Sequence, residues 1–317
     1  MNLPFPDDVL PAPDAELPEV FADIQRIDPQ GARIAQVLRD TFDQLYDGQR
    51  TGRYRLDQLF KTEKTHCGTL VEINLRREFR DEFQDGQVLD YRIAGVEVDC
   101  KYSQEANGWM IPPEAHGHLC LVVWADDQTS LWSMGLVRIT PQRLGAVNRD
   151  GKAKLNDAGR RAVVWIFQRA PLPPNVLLQL PAVVVAQIMA LRHGTQRINQ
   201  LFRVALGRLV GRAAVATIAQ QKDFMKRVRA NGGARSKLQP EGIVILGSYG
   251  AHTNIAQSLE LPVPRSGELI SAKLFPAHGP GAGVAQIAGS YWRVAAVGDP
   301  VVAAPELPSV SEPDAEE

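Results

Sequence analysis

The chain has 317 residues, 44% of them apolar and 22% charged, and its 35 basic and 36 acidic side chains leave a formal net charge of −1. That is the composition of a globular protein with enough apolar content for a full core, and the length suits about two domains. Three cysteines exclude a disulfide framework, MNLPFPDDVL lacks the basic start of a secretory signal, and the most apolar stretch, Val176 to Leu191, is too short and too interrupted to span a bilayer. These features imply a cytoplasmic protein with no membrane partner. No G-x-x-x-x-G-K-[ST], G-x-G-x-x-G or G-x-S-x-G motif is present, so nucleotide-loop and serine-hydrolase chemistry drop out.

In chain order, residues 1–18 are rich in Pro, Asp and Glu and predict an extended arm. Apolar spacing predicts a helix over Ile34–Leu45 and another after Thr65. Strand-like runs follow at Val88–Ile93, Val96–Tyr102, Leu119–Trp124 and Leu131–Ile139, so residues 1–169 read as a mixed α/β domain. Pro171, Pro173 and Pro174 make a stiff linker of 170–176. Beyond it, 177–302 reads as a second, mainly helical domain with a short strand at Ile243–Leu246, and 303–317 as a disordered acidic tail.

Charge separates the halves. Residues 1–170 carry 21 basic and 26 acidic groups, and residues 171–317 carry 14 and 10. Within 192–237 there are eleven basic residues against one acid, Asp223. That bias asks for a polyanion partner.

The stretch Val88 to Lys101 reads as a hairpin around Ala94-Gly95, with glycine supplying the positive φ of a tight turn. A two-residue loop pairs Leu89 with Cys100, Tyr91 with Val98 and Ile93 with Val96, giving one apolar face. On the other face Arg92 meets Glu97, Asp90 meets Asp99, and Lys101 follows. Two like charges directly opposite cost roughly 0.2–1 kcal/mol, a conflict that a divalent cation between the carboxylates removes. Hard oxygen ligands select Mg²⁺ or Mn²⁺. Lys101 would stand beside the metal and a bound phosphate, positioning a water or neutralising charge on the phosphorane. The chemistry implied is metal-assisted phosphodiester hydrolysis. Without other features, solvated charges on an edge hairpin would explain the pattern as well.

Asp90 … Asp99-Cys-Lys101 resembles the PD-(D/E)xK signature of restriction enzymes, with Leu89 where the signature has proline. The arrangement G-x-L-V-E … L-D … V-E-V-D-C-K is similar to the mismatch-repair nicking endonuclease subgroup, and with the basic half behind it the whole chain resembles type IIE restriction endonucleases. The resemblance implies that Glu72 completes a metal site with Asp90 and Asp99, that Lys101 joins these three in catalysis, and that Mg²⁺ is the cofactor. It also implies cleavage of both strands of double-stranded DNA at GCCGGC, with a second DNA site bound as an allosteric effector. A homodimer would match the two-fold symmetry of a palindrome and leave 5′-phosphate ends.

In the basic half, helices are expected over Gln196–Val210, Ala213–Gln220 and from Lys222 to the Asn231-Gly-Gly233 stop. A helical wheel puts Lys222, Lys226 and Arg229 on one face of the third, opposite Phe224, Met225 and Val228. With the strand Ile243–Leu246, this is the order of a winged helix-turn-helix, and the resemblance implies a catabolite-activator-like DNA-binding domain. The third helix would enter the major groove and Ala234–Gly242 would form the wing. Lys222, Lys226, Arg227, Arg229, Arg235 and Lys237 are the expected DNA-binding residues.

Weaker signals have plainer accounts. His116-Gly-His118-Leu-Cys120 lacks a recognised fourth zinc ligand. The stretch around Leu45-Tyr-Asp47-Gly48 echoes a ligase motif, but leucine replaces the lysine that would carry the nucleotide, so helix packing through Phe42 and Leu45 is simpler. The five tryptophans are scattered and suit cores. The competing reading is a winged-helix transcription regulator sensing a ligand or metal at Asp90/Asp99. Asp99→Ala separates the two, abolishing cleavage in one and altering only ligand response in the other.

Overall fold

A computed structural model describes residues 14–308. The chain forms two compact units: the residues up to Thr41 with Thr65–Pro173, and Phe42–Lys64 with the residues from Pro174 onward. Residues 42–64 precede the proline-rich linker, yet they pack with the second unit. There Asn175 Nδ2 donates to Tyr54 O at 2.9 Å, and a Cβ on Gly48 would lie 2.0 Å from Thr217 Oγ1.

Helices open the chain: α1 (Glu16–Ile27), α2 (Ala32–Tyr46), α3 (Gly48–Thr51) and α4 (Lys61–Glu78). In α2 the buried Ile34, Leu38, Phe42 and Leu45 recur at helical spacing, and in α4 Cys67, Val71 and Leu75 do the same. Then come β1 (Gln84–Asp85), β2 (Tyr91–Ile93), β3 (Val96–Ser103), β4 (Leu119–Asp126), β5 (Leu131–Arg138), the small pair β6 (Leu144–Val147) and β7 (Ala153–Leu155), α5 (Asp157–Arg161) and β8 (Val164–Pro171). The main sheet runs β1-β2-β3-β4-β5-β8, antiparallel except that β3 and β4 are parallel. Leu119 to Val123 are all buried, as expected of a central strand covered on both faces. Trp109, Ile111, Cys120, Val122, Val137 and Ile139 belong to the core on one of those faces. Trp109 and Trp132 are buried, as core tryptophans should be.

The second unit continues with α6 (Val176–Gln179), α7 (Ala182–Ala190), α8 (Gly194–Val204), β9 (Leu209–Gly211), α9 (Arg212–Ala219), α10 (Ala234–Leu238), β10 (Ile243–Leu246), α11 (Gly250–Ser258), β11 (Glu268–Pro276), β12 (Val284–Ile287) and β13 (Ser290–Val294). It carries a five-stranded sheet, where the sequence pattern had announced one strand: β10-β11-β13-β12, with β9 also on β11. The expected third helix is not formed. Phe224–Val228 is a five-residue 3₁₀ segment, so Lys222, Lys226 and Arg229 do not share the face that an α-helical wheel assigns them. The chain doubles back at Gly233, where a Cβ would stand 2.4 Å from Arg229 O. The expected wing at 234–242 is α10 followed by a 3₁₀ turn, because Ala234 and Leu238, one helical turn apart, are both buried.

Residues 16–18 of the expected arm lie in α1, while 1–13 fall outside the described residues. At the other end Ala304 is buried, donates its backbone N–H to Gln239 O, accepts at its own carbonyl from Gln239 Nε2, and is followed by Leu307 against the same core. The first part of the expected tail is therefore packed chain, and 309–317 lie outside the described residues. Among the described residues no helix is long and apolar enough to cross a membrane.

Candidate active site

The hairpin forms in the expected register: Tyr91 opposite Val98, Arg92 opposite Glu97, Ile93 opposite Val96. Ala94 and Gly95 have φ of 50° and 81°, both positive as a type I′ turn requires. Leu89, Tyr91, Ile93, Val98 and Cys100 are buried on one face. Fixing that face fixes the other, since a slip of one residue would exchange them. Asp99 and Lys101 therefore stand together on the opposite side of β3.

Lys101 is the centre of the cluster. Its Nζ donates to Asp99 Oδ1 at 2.7 Å, to Asp90 Oδ2 at 3.2 Å and to Cys100 O at 2.8 Å. Asp90 precedes β2 and is held to β3 by Cys100 N, which donates to the same Oδ2 at 2.7 Å. Asp90 Oδ1 takes no hydrogen bond among the described residues. Parallel pairing of β3 with β4 sets Cys120 beside Asp99, and its thiol Sγ lies 3.6 Å from Asp99 Oδ2. Asp99 is the most withdrawn of the group, its side chain 4% exposed against 23% for both Asp90 and Lys101.

Burial raises the Asp99 carboxyl pKa, and the neighbouring ammonium only partly offsets this. Burial opposes the charge on Lys101 too, but the Asp99 and Asp90 carboxylates outweigh it and hold the amine's pKa above its ordinary value. Glu72, on α4, is raised by burial first and by the Asp90 charge second. Its backbone carbonyl accepts from Tyr91 Oη at 2.7 Å, and its carboxylate faces Arg76 at 3.7 Å. Thus Asp90, Asp99 and Lys101 are brought together, and Glu72 lies within electrostatic reach of them. Among the described residues, however, no three carboxylate, imidazole or thiol groups converge closely enough to hold a metal. The His116–Cys120 stretch accordingly forms no such group.

Two expectations for the hairpin need correction. Asp90 lies outside β2, which begins at Tyr91. Glu97, although opposite Arg92, spends both carboxylate oxygens on backbone amides of residues 87–89, while Arg92 Nε donates to Gly95 O. Glu97 and Arg76 were missed as members of the site. Their contacts to the loop are to its backbone groups, Glu97 to the amides of 87–89 and Arg76 to Asp90 O, which no spacing rule reports.

Of the expected DNA-binding residues, Lys222, Lys226, Arg229 and Lys237 are exposed. Arg227 is tied to Gln221 and Asp223. Arg235 turns inward, its Nε donating to Ile245 O at 2.9 Å with the guanidinium over the Tyr249 ring. Lys222 also lines a cleft of about 620 Å³ with Arg50, Arg192 and Arg197, a basic grouping that segment counts could not assemble.

Comparison with known proteins places the chain in a family. The chain is 53% identical over 307 residues to the type II restriction enzyme NaeI of Lentzea aerocolonigenes, which covers 94% of this chain and 96% of the relative. The family profile "Restriction endonuclease NaeI" matches residues 19–303, which contain the whole Glu72–Lys101 segment. The chain belongs to the NaeI family of restriction endonucleases.

Proposed function

We propose that this type II restriction endonuclease works as a homodimer, with Mg²⁺, on both strands of duplex DNA at a GC-rich palindrome, GCCGGC, leaving 5′-phosphate ends. The observation that carries the reading is the meeting of Asp90, Asp99 and Lys101 on one face of β3. By donor type the carboxylates suit a hard divalent cation, which would have to draw Glu72 in, because the three do not converge closely enough among the described residues. Two carboxylates already converge on one positive charge, Asp90 Oδ1 is unengaged, and Glu72 is a carboxylate raised by burial first and by the Asp90 charge second. Glu72, Asp90 and Asp99 are the residues that would hold it.

When bound, Mg²⁺ would supply water activation and charge neutralisation at the scissile phosphate. The protein's own part follows from its bonds. Lys101, kept protonated by two carboxylates, acts as a fixed positive charge toward the phosphorane rather than as a base. Cys100 N and Cys120 Sγ hold Asp90 and Asp99 from behind, so each carboxylate keeps its orientation.

For the second unit we propose a winged-helix domain that binds a second DNA copy as allosteric effector. In support, α8, β9, α9, α10 and β10 follow in winged-helix order, and β9 and β10 both pair antiparallel with β11. Exposed Lys222, Lys226, Arg229 and Lys237 supply positive charge for a phosphate backbone. Linkage then requires that substrate tighten effector binding by the factor with which effector tightens substrate.

The test is incubation of the protein with plasmid carrying several GCCGGC sites, in Mg²⁺ and in EDTA, beside Asp99→Ala. Discrete Mg²⁺-dependent fragments, absent in the variant, are expected. A wild type that binds plasmid in a salt-sensitive way but never cuts would overturn the reading.

A further inference from the structure

Between β1 and β2 the chain leaves the sheet, and residues 86–90 run irregularly with Asp90 as their last member. Irregular backbone beside a sheet must find other partners for its amides. Here one side chain serves three. Glu97 Oε1 accepts from Gln87 N at 3.0 Å, and Oε2 accepts from Val88 N at 3.1 Å and Leu89 N at 3.0 Å. Gly86 makes this fit possible, because a Cβ there would stand 2.2 Å from Leu89 O and 2.9 Å from Glu97 Oε2. At the far end of the loop, Arg76 Nη2 donates to Asp90 O at 2.5 Å, while its Nη1 lies 3.2 Å from Asp85 Oδ1. Both oxygens of Glu97 are spent on backbone, so it is no ligand, despite standing two residues before Asp99.

We propose that Glu97, assisted by Arg76, is a positioning residue: it clamps the 86–90 loop so that the Asp90 carboxylate stays aligned with Asp99 for cation binding and cleavage. The inference rests on the nuclease reading above. The clamp fixes backbone rather than the carboxylate itself, and loss of such outer contacts weakens metal affinity by about 10–100-fold.

The test uses the full chain and four readouts: amide exchange of residues 86–90, thermal stabilisation by Mg²⁺ alone, plasmid cleavage, and duplex binding in EDTA. In Glu97→Ala the amides of Gln87, Val88 and Leu89 should exchange faster, and the Mg²⁺ needed for half-maximal stabilisation should rise about 10–100-fold. Cleavage should fall with it, while duplex binding in EDTA stays unchanged. Glu97→Gln, which keeps an acceptor oxygen but turns an amide NH₂ toward the loop, should fall between. If Glu97→Ala does not fold, Glu97→Gln and Arg76→Lys carry the same comparison. Faster exchange with a wild-type Mg²⁺ response and wild-type cleavage would overturn the clamp, leaving Glu97 a local loop staple. A wild type indistinguishable from Asp99→Ala in cleavage and Mg²⁺ response would instead sink the nuclease reading, and the clamp with it.

Discussion

Arg39 on α2 and Asp127, just beyond β4, form an ion pair almost wholly withdrawn from water, their side chains 7% and 1% exposed. Two guanidinium nitrogens meet two carboxylate oxygens, the geometry that best repays desolvation. Removing one partner takes the direct countercharge from a buried ion. Arg39→Met should therefore cost about 3–5 kcal/mol in denaturant unfolding. Arg39→Met with Asp127→Leu should cost clearly less. A double variant as damaged as the single would show that packing, not charge, sets the loss.

Lys101 neutralises Asp90 and Asp99 when no divalent cation is present. Lys101→Met should lower cleavage by about 10²-fold or more, with duplex binding retained in EDTA. In EDTA it should also destabilise the fold by about 2–3 kcal/mol, at the low end for a broken pair because Lys101 is partly exposed. Mg²⁺ should restore part of that stability. Melting curves with and without Mg²⁺ measure this, and an equal deficit in both would mean that the two carboxylates share no cation.

Ala94 occupies a left-handed position, φ 50°, at the exposed tip of the hairpin. That conformation costs an L-residue roughly 1–2 kcal/mol, part of which glycine returns as extra entropy in the unfolded chain. Ala94→Gly should stabilise the protein by about 0.5–1 kcal/mol, and Ala94→Val should destabilise it. Guanidinium titrations resolve both signs.

His252 is 2% exposed, and its Nδ1 accepts from Gly247 N at 3.1 Å. Burial, reinforced by the Arg235 charge, pushes the imidazole down from its ordinary 6.5 to about 4. The unfolded chain takes up this proton as pH falls through 6.5, whereas the folded chain refuses it until about 4. Stability contributed by this group is thus complete above pH 6.5 and is lost on descending to pH 4, on the order of 3 kcal/mol in all. His252→Gln should flatten that part of the pH profile. A variant with an unchanged slope would assign the loss to other groups.

The hairpin was legible because its information is local. Alternating apolar residues and one glycine turn dictate Tyr91 against Val98, and with it which carboxylates share a face. The clamp was not legible, since Glu97 serves amides whose identity sequence does not encode. The basic third helix failed for a related reason. A wheel drawn at 100° presumes the α-helix it means to find, and Phe224 and Val228 are buried just as well in a 3₁₀ run that ends at Val228, before the chain doubles back at Gly233. The second unit's sheet escaped notice because its strands pair across long separations, as Leu209 does with Ile270.

The parallel step between β3 and β4 also orders events in time. β2 and β3 meet through a two-residue turn, so Asp90, Asp99 and Lys101 can gather while the chain is otherwise unformed. β4 must first travel through residues 104–118 before it can lie beside β3 in the same direction. Closing that longer crossover is slower than closing a hairpin. Asp99 therefore meets Asp90 and Lys101 early and receives Cys120, and the dry surroundings that come with it, late. A half-folded chain would carry the hairpin's charged groups while they were still wet, and their drier setting would arrive only when the sheet is complete.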